Sequence, residues 1–257
     1  MRHKEPDIHI KKIPPYSYLA PFYDDLMDYI DYDLWIEDIM GFIKEDPTVM
    51  NMLDVSCGTG SMAVRFAQAG LKVTAVDISP EMVREAKKKV DAAKLNDWVR
   101  VAVGDMRQIP FPDLFDIVIN LHDGLNYLPN LESAAEFLEH TYKLIRPDGW
   151  LIMDVVTPLL CENHFMGYRE IYTDESGGYE RETNYDKTTR QALTKFTFEI
   201  SPSEFLVEEH GQRAYDLEEV RQLCEQSPFD SYEILDDEDF RTADASSERF
   251  YVILRRT

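Results

Sequence analysis

A glycine turn preceded by an acidic residue is the first place in this sequence where chemistry could occur. Asp54 lies in an apolar run that leads into Gly58 and Gly60. The glycines permit a sharp turn that brings backbone N–H groups close to a ligand. The spacing Gly58-x-Gly60-x-x-Ala63 also satisfies a loose dinucleotide fingerprint. Asp54 at the mouth of the loop would repel a pyrophosphate, however, and suits a cationic ligand.

Two further carboxylates follow the next apolar runs, at Asp77 and Asp105. The carboxyl ends of parallel strands meet at one edge of an open sheet, where ligands bind. There Asp77 can bind both hydroxyls of a ribose. Asp105 can accept a hydrogen bond from an adenine amino group, and Met106 can pack on the ring. With Asp54, these residues indicate a site for a positively charged adenosine ligand without phosphates.

Polar residues that could lie near the reacting end of such a ligand occur in two places. The loop 120–127 follows a strand expected beside the glycine turn, and it carries His122 and Asp123. A loop histidine is often only a hydrogen-bonded structural residue, so both interpretations stay open. The second group alternates along a predicted strand and could face the same cleft: His210, Arg213 and Tyr215.

A regular alternation of strands and helices would position these residues. Apolar periodicity predicts strands at 52–55, 72–76, 99–103, 115–120 and 150–155, with helices at 61–69, 80–93 and 131–145. This βαβ rhythm predicts an α/β fold with a doubly wound parallel sheet. A helix at 217–226 and strands near 232–235 and 249–254 would complete the sheet, and the last two strands could pair antiparallel.

The segments outside this rhythm are predicted to surround the ligand site. Residues 20–29 and 33–44 are predicted helices, the second ended by Asp46-Pro47, and they could cap the site. A meander of strands is predicted at 179–185, 192–200 and 204–214. We therefore predict one domain over residues 1–257: a helical lid at 1–46, a Rossmann-like core at 47–160 and 216–257, and an antiparallel β insertion at 161–215 in the substrate region.

Composition excludes several classes of partner. The net charge of −22 disfavours a nucleic-acid substrate, because a polyanion would be repelled. The one dense basic run, 87–89, is predicted to be a solvated helix end. No apolar run is long enough to cross a membrane. The amino-terminal residues are charged, and the three cysteines, Cys57, Cys161 and Cys224, have no metal-like spacing. These features predict a cytoplasmic protein with no metal and no membrane partner.

Taken together, the motifs resemble those of the class I S-adenosylmethionine-dependent methyltransferases, in the small-molecule branch that includes glycine and amino-sugar N-methyltransferases. The matching segments are 53–60, 75–79, 103–106, 115–121 and 146–149, and they cover roughly residues 50–156. Ser56 stands where many members have a glycine, and a small side chain can still serve. The resemblance implies a seven-stranded, mostly parallel sheet, an antiparallel last strand, and S-adenosyl-L-methionine as cofactor.

The resemblance also implies roles for individual residues. Tyr16 and Tyr23 resemble lid tyrosines that approach the cofactor's sulfonium, and Asn120 or Leu121 would offer a backbone carbonyl to its ammonium group. The remaining cofactor contacts would be Ser56, Gly58 and Gly60 at the methionine part, Asp77 at the ribose, and Ile78, Met82, Asp105 and Met106 at the adenine.

Methyl transfer from a sulfonium needs mainly alignment and exclusion of water, so its catalytic residues can be inconspicuous. A protonated amine or a hydroxyl acceptor also needs a base, and His122, Asp123 and His210 are the candidates. Tyr127, Arg213 and Tyr215 are candidate substrate contacts.

The acceptor is predicted to be a small molecule. The tetrapeptide of amide and nucleobase-amino methyltransferases and the Pro-Cys pair of the cytosine C5 type are both absent. The lid and β insertion resemble those of enzymes that methylate small amines, which makes N-methylation the leading hypothesis. The alternatives are a small-molecule O-methyltransferase, a non-catalytic S-adenosylmethionine-binding module, and a nicotinamide-dependent dehydrogenase.

Overall fold

The computed structural model describes residues 8–43, 49–109, 111, 113–174 and 177–257. Its larger sheet contains strands β2 (Asn51–Val55), β3 (Lys72–Asp77), β4 (Val99–Val103), β5 (Phe115–Asn120), β6 (Ile145–Val156), β11 (Ser231–Asp236) and β12 (Arg249–Arg255). The seven strands lie in the order β11-β12-β6-β5-β2-β3-β4. The five strands from β6 to β4 are parallel, and β12 pairs antiparallel with both β6 and β11. The predicted doubly wound fold and its antiparallel end are confirmed.

Helices cover the two faces of this sheet. They are α3 (Ser61–Gln68), α4 (Pro80–Ala93), α5 (Leu131–Leu144) and α7 (Leu217–Gln226). Side-chain caps begin α4 and α7: the Ser79 hydroxyl accepts from the Met82 N–H at 3.2 Å, and Asp216 with Glu219 forms a capping box. Because α3 and α4 begin close after β2 and β3, strand ends and helix starts together form one edge of the sheet.

Alternate residues of the central strands feed two separate apolar cores. In β2 and β5, Leu53 and Val118 pack into the core under α5 and α7, whereas Met52 and Ile117 pack into the core under α3 and the lid helix α2 (Tyr32–Ile43). All six residues of β5 are buried. This burial on both faces is typical of central parallel strands.

A second, five-stranded sheet lies against the same edge. Its strands are β1 (His9–Ile13), β7 (Tyr168–Asp174), β8 (Gly177–Asp186), β9 (Gln191–Ser201) and β10 (Glu204–Arg213), in the order β1-β10-β9-β8-β7. The chain enters it through α6 (Pro158–Leu160) and a π-helical turn at Cys161–Phe165. The antiparallel meander predicted for this region is present, with one additional strand, β7.

The amino-terminal segment departs from the prediction of a purely helical lid. Residues His9–Ile13 form β1, which pairs parallel with β10 from Glu204 to Glu208. This pairing joins segments that are far apart in sequence, and nothing local to β1 reveals it. The lid therefore belongs partly to the five-stranded sheet.

The helical part of the lid is shorter than predicted. It consists of a 3-10 turn at Ala20–Phe22, α1 (Tyr23–Leu26) and α2 (Tyr32–Ile43). The Asp31 carboxylate accepts from the N–H groups of Asp33 and Leu34 at 3.1 and 3.2 Å, and so begins α2 close to the start predicted for the second lid helix. The predicted helix end at Asp46-Pro47 lies outside the described residues. Within the described part of the chain, no helix combines the length and apolarity needed to cross a membrane.

Candidate functional site

The glycine turn after β2 is built from residues in the left-handed region. Ser56, Gly58 and Gly60 have φ values of 64°, 52° and 77°. Position 60 also has no room for a side chain, because a Cβ there would lie 3.0 Å from the Cβ of Ala86 in α4. The turn thus places α3 and α4 close together and leaves its backbone facing a cavity.

This inner cavity has a volume of about 390 Å³. It lies between the strand ends of the larger sheet and the lid. Predicted cofactor residues that line it are Tyr16, Tyr23, Ser56, Gly58, Asp77, Ile78, Met82, Asp105, Met106 and Leu121, together with His122 and Tyr127 from the other predicted groups. Asp54, predicted from its charge to suit a cationic ligand, lines it too. The lining also includes residues absent from the predicted site: Tyr32, Cys57, Thr59, Ser61, Met62, Gly104, Arg107, Gly124, Leu128 and Pro129.

Asp77 fixes the glycine turn while facing the cavity. Its Oδ2 accepts from the Gly58 N–H at 2.9 Å, and its Oδ1 accepts from the Ser79 N–H at 2.8 Å. Burial raises the pKa of Asp77, and these N–H donors oppose the rise. Each carboxylate oxygen keeps a second lone pair, so Asp77 can hold the turn and accept from ligand hydroxyls at the same time.

Asp54 presents a buried polar atom to the same cavity. The residue is 3% exposed, and its Oδ2 has no hydrogen-bond partner among the described residues. Burial, aided by the neighbouring Asp77, raises the pKa of Asp54 well above its ordinary value. A buried polar atom without a partner is costly, so this oxygen marks a place where a ligand donor or cation would be stabilised.

Asp105 is more fully occupied. Its Oδ1 accepts from the Arg107 backbone N–H at 2.9 Å, and its Oδ2 accepts from the Arg107 guanidinium at 2.7 Å. These hydrogen bonds from Arg107 lower the pKa of Asp105, so it is a carboxylate at neutral pH.

Asn120 lies behind the wall of the cavity: its side chain is fully buried and donates to Ser56 Oγ at 2.9 Å.

Three tyrosines meet at the lid side of the cavity. The hydroxyls of Tyr16 and Tyr127 are hydrogen-bonded, and the ring of Tyr23 meets Tyr16 edge-on with centroids 5.7 Å apart. Burial raises the pKa of each of these phenols. They are therefore neutral hydrogen-bonding groups at pH 7.

His122 lines the cavity but is a weak base. Its ring stacks on Trp35 with centroids 4.5 Å apart, and its buried Nε2 has no partner among the described residues. Burial lowers the pKa of His122 to about 4. The imidazole is thus neutral at pH 7.

Asp123 has a structural contact in place of the predicted base role. Arg249 forms ion pairs with both Asp123 and Asp154. The Asp123 N–H also donates to Asp154 Oδ2 at 3.2 Å. Burial alone would raise the pKa of Asp123, but Arg249 holds it below its ordinary value. A carboxylate that is already paired and weakly basic is unsuited to accept a proton.

Three predicted residues on and after β10 do not line the inner cavity. His210 is 3% exposed, and its Nε2 lies 3.1 Å from Glu208 Oε2. Arg213 pairs with Glu219 at 2.7 Å, and the buried Tyr215 hydroxyl donates to the Leu128 carbonyl at 2.6 Å. The structure thus corrects the expectation that these side chains face the cleft. Alternation along the strand predicted that these side chains share a face. For Arg213 and Tyr215, however, the contacts with α7 and the 128–130 segment decide the direction of the side chain.

The lid is fastened to the glycine turn by Asp24. Its carboxylate accepts from the Thr59 hydroxyl at 2.6 Å and pairs with Lys89 at 2.7 Å. Lys89 Nζ also contacts Ser61 Oγ at 2.5 Å. Lys89 therefore joins the lid to the glycine turn, which corrects the prediction of a merely solvated basic run.

A larger outer cavity of about 1000 Å³ lies on the other side of the lid. Aromatic rings form much of its wall: Tyr18, Phe22, Tyr29, Phe165, Tyr168, Tyr172, Tyr179 and Phe198. Its charged residues are Asp25, Asp28, His164, Glu170, Arg181 and Glu199. Burial raises the pKa of Tyr127 in the inner cavity, and the outer cavity's Arg181 opposes that rise. The lid bounds both cavities, because Tyr16 and Tyr23 line the inner one and Tyr18 and Phe22 line the outer one.

Within the described residues, no group of His, Cys, Asp and Glu is arranged to hold a metal ion. The polar groups that line the inner cavity are carboxylates, phenols, hydroxyls, the Cys57 thiol, the Arg107 guanidinium, the His122 imidazole and the backbone of the glycine turn.

Comparisons with known proteins agree with this geometry. Residues 52–149 match a family model described as a methyltransferase domain. The chain is 28% identical over 240 residues to a Bacillus subtilis protein named "Putative methyltransferase YqeM", covering 92% of this chain and 95% of that protein. It is also 30% identical over 147 residues to the Rickettsia bellii "Ubiquinone/menaquinone biosynthesis C-methyltransferase UbiE", covering 53% of this chain and 57% of the relative.

Solved structures share the fold. An S-adenosylmethionine-dependent methyltransferase from Clostridium acetobutylicum superposes with a TM-score of 0.77 at 22% identity, covering 94% of this chain and 98% of the other. The sugar N-methyltransferase KedS8 from Streptoalloteichus sp ATCC 53650 superposes with a TM-score of 0.74 at 16% identity, covering 100% and 99%.

Proposed function

We propose that this S-adenosylmethionine-dependent methyltransferase methylates a nitrogen atom of a small-molecule acceptor. When bound, the cofactor supplies an activated methyl group on a positively charged sulfur. The inner cavity suits this cofactor because it combines a glycine turn with Asp54 and Asp77 and offers no cluster of basic residues for phosphates.

The proposed cofactor contacts follow from the lining of the inner cavity. Asp77 would bind the ribose hydroxyls with the lone pairs that its backbone donors leave open. The unpartnered oxygen of Asp54 would face the positively charged end of the ligand. Ser56, Gly58 and Gly60 would allow close approach of the backbone, Ile78, Met82, Asp105 and Met106 would surround the adenine, and Asn120 or Leu121 would offer a carbonyl.

The observation that carries the nitrogen proposal is the charge of the outer cavity. Asp25, Asp28 and Glu199 line it, and none of them has an ion-pair partner among the described residues. Aromatic faces beside unpaired carboxylates attract a cation, and a protonated amine supplies one. The structural likeness to a sugar N-methyltransferase also supports a nitrogen acceptor.

The size of the outer cavity further supports an acceptor larger than glycine. Pockets of about 300–1,000 Å³ typically enclose drug-sized ligands. An outer cavity of about 1000 Å³ would leave an amino acid poorly enclosed. An amine carried on a sugar or on a planar apolar scaffold fits its volume and its aromatic wall.

The chain's own contribution to transfer would be alignment and exclusion of water. The Tyr16, Tyr23 and Tyr127 phenols line the lid side of the inner cavity and would orient ligands there through hydrogen bonds. An amine must lose a proton to expose its lone pair. Of the predicted bases, only His122 lines the inner cavity as a neutral imidazole. With a pKa lowered to about 4, His122 is too weak a base for an ammonium proton, so solvent in the outer cavity is the proposed route for it.

A carbon acceptor is the second candidate, because one relative is named a C-methyltransferase. Incubation with isotopically labelled S-adenosylmethionine and matched panels of amines, hydroxyl compounds and quinol-like carbon acceptors separates the possibilities. We expect label on the nitrogen of a bulky amine, located by mass spectrometry of the product. Label on oxygen or carbon would overturn the nitrogen proposal. Cofactor binding without transfer to any panel would favour a non-catalytic module.

Charge-neutralising variants test the outer cavity directly. We expect Asp25→Asn and Glu199→Gln each to raise KM for a cationic amine several-fold, because each removes one unpaired negative charge. Affinity for S-adenosylhomocysteine should stay unchanged. Glu233→Gln, an exposed acidic residue on β11 that lines neither cavity, is the matched control. Equal KM values in all three variants would contradict the assignment of this cavity to the acceptor.

A further inference from the structure

Glu208 is a fully buried carboxylate that binds the backbone of the lid. It lies on β10 and is 0% exposed. Its Oε2 accepts from the Tyr16 N–H at 2.7 Å, and its Oε1 accepts from the N–H groups of Tyr18 and Leu19 at 2.5 and 3.0 Å. One side chain of the five-stranded sheet thus satisfies three backbone donors of the lid turn.

The lid turn needs such support because Tyr16 adopts an unfavourable backbone conformation. Its φ is 64°, in the left-handed region that bulky residues rarely occupy. Conformations of this kind persist only where the surroundings hold them. The three hydrogen bonds to Glu208 hold the amides on both sides of this residue.

His210 completes the surroundings of the carboxylate. Its Nε2 lies 3.1 Å from Glu208 Oε2. Its ring meets Tyr16 with centroids 4.5 Å apart and Phe196 with centroids 5.3 Å apart. A buried carboxylate is costly unless donors surround it, and here three amides and one imidazole do so. Sequence reasoning placed His210 at the acceptor, whereas its contacts place it behind Tyr16.

The other end of Tyr16 reaches the inner cavity. Its phenol is hydrogen-bonded to Tyr127, and both residues line that cavity. Glu208 and His210 do not line it. Any effect of Glu208 on a ligand in the inner cavity must therefore pass through the lid turn and Tyr16.

We propose that Glu208 is a positioning residue for the cofactor: its carboxylate, supported by His210, holds the lid turn so that the Tyr16 phenol closes the inner cavity. This inference rests on the inner cavity being the cofactor site. It does not depend on the identity of the methyl acceptor.

Binding of S-adenosylhomocysteine, measured by calorimetry, tests the proposal without any acceptor. We expect Glu208→Gln to weaken binding about tenfold, because an amide NH₂ would face the Tyr16 N–H. Tyr16→Ala should weaken binding to a similar degree. The double variant should bind no more weakly than the weaker single variant, because both changes remove the same positioned phenol. Glu209→Gln, the neighbouring residue that pairs with Lys12 at the surface, is the matched control.

Two outcomes would overturn the proposal. One is a Glu208→Gln variant with a lower Tm and wild-type affinity for S-adenosylhomocysteine, which would make Glu208 a structural residue only. The other is a double variant whose loss equals the product of the two single losses, which would make the two residues independent. Failure of the separate acceptor assays would affect neither measurement.

If Glu208→Gln does not fold, His210→Gln supplies the test, because it keeps the carboxylate and its three amide donors. We expect about threefold weaker binding and faster hydrogen exchange at the amides of Tyr16, Tyr18 and Leu19. Unchanged exchange together with unchanged affinity would contradict the proposal.

Discussion

The floor and the roof of the inner cavity are held by different kinds of contact. The floor consists of the strand ends of the larger sheet, with Asp54, Asp77 and the glycine turn. The roof consists of the lid residues 16–26 and the five-stranded sheet. In the floor, Asp77 reaches the Gly58 N–H across 19 residues, whereas in the roof Glu208 reaches the Tyr16 N–H across 192 residues.

This difference indicates which side of the inner cavity can open. Floor residues lie in short motifs attached to a buried parallel sheet, so their geometry is set by the fold itself. Roof residues depend on a few hydrogen bonds between distant segments. We therefore expect the floor to resist opening and the roof to control entry of ligands.

The largest effect should come from filling the floor. In Gly124→Ala, the new Cβ would lie 2.3 Å from Ser56 Oγ and 2.4 Å from Asn120 Nδ2. We expect a loss of about 3 kcal/mol in the free energy of unfolding, measured by denaturant titration, and loss of S-adenosylhomocysteine binding. The roof control is Gly211→Ala on β10, where no heavy atom lies within 4 Å of the new Cβ. Equal losses in both variants would remove the proposed contrast.

Removing the floor carboxylate should have the next largest effect. Asp77→Ala deletes the acceptor of two backbone N–H groups and the proposed ribose contact. We expect cofactor affinity to fall by about 2 kcal/mol in calorimetry. Asp105→Asn is the comparison, and its loss should be smaller because Arg107 already occupies both carboxylate oxygens. A wild-type affinity for Asp77→Ala would exclude Asp77 from the cofactor site.

His122 in the floor should make the free energy of unfolding depend on pH. The pKa of His122 is about 4 in the folded protein and ordinarily about 6.5, so between these values the unfolded chain binds the additional proton. Stability contributed by the neutral imidazole is therefore present above pH 6.5 and is lost as the pH falls toward 4.

His122→Asn removes this titration, and asparagine tolerates the left-handed backbone at this position. We expect wild type to lose about 1–2 kcal/mol more than the variant between pH 7 and pH 4.5, in urea titrations. The Asp123–Arg249–Asp154 group is common to both proteins, so the difference reports His122. Parallel pH profiles would show that His122 is protonated as readily in the folded protein as in the unfolded chain.

The smallest effect should come from the phenol pair that joins the roof to the floor, Tyr16 of the lid and Tyr127 of the loop after β5. Tyr16→Phe and Tyr127→Phe each remove one hydroxyl of the same hydrogen bond. We expect each to weaken S-adenosylhomocysteine binding by about 1 kcal/mol or less, and the double variant to add little. Additive losses would mean that each hydroxyl contacts the ligand separately.

Much of the floor could be predicted from the sequence because its signals are local. Apolar runs and the alternation of strands and helices predicted the doubly wound sheet, the family resemblance implied its seven strands, and the structure confirms both. The same residues were predicted to converge, and Gly58, Asp77, Asp105 and Met106 line one cavity. The sequence indicated the importance of Asp54 through its charge. That one of its oxygens is buried without a hydrogen-bond partner could be seen only in the folded structure.

The roof was predicted poorly for a physical reason. Alternation along a strand predicts on which face of the sheet a side chain lies, but it does not predict which residue that side chain contacts. His210 and Arg213 were therefore assigned to the cleft, while tertiary contacts give them Glu208 and Glu219 as partners. Strand β1 was missed because its pairing partner, β10, follows about 190 residues later, and no local pattern encodes that register.

The sequence by itself determined the fold class and the chemistry of the cofactor side, because periodic burial and strand-end motifs act over a few residues. Only the tertiary structure decided which acids are free and which are paired. It leaves Asp54 with an open oxygen, binds Asp123 to Arg249, and buries Glu208 under the lid. Burial and distant partners set the charge and position of each group, and these are properties of the folded chain alone.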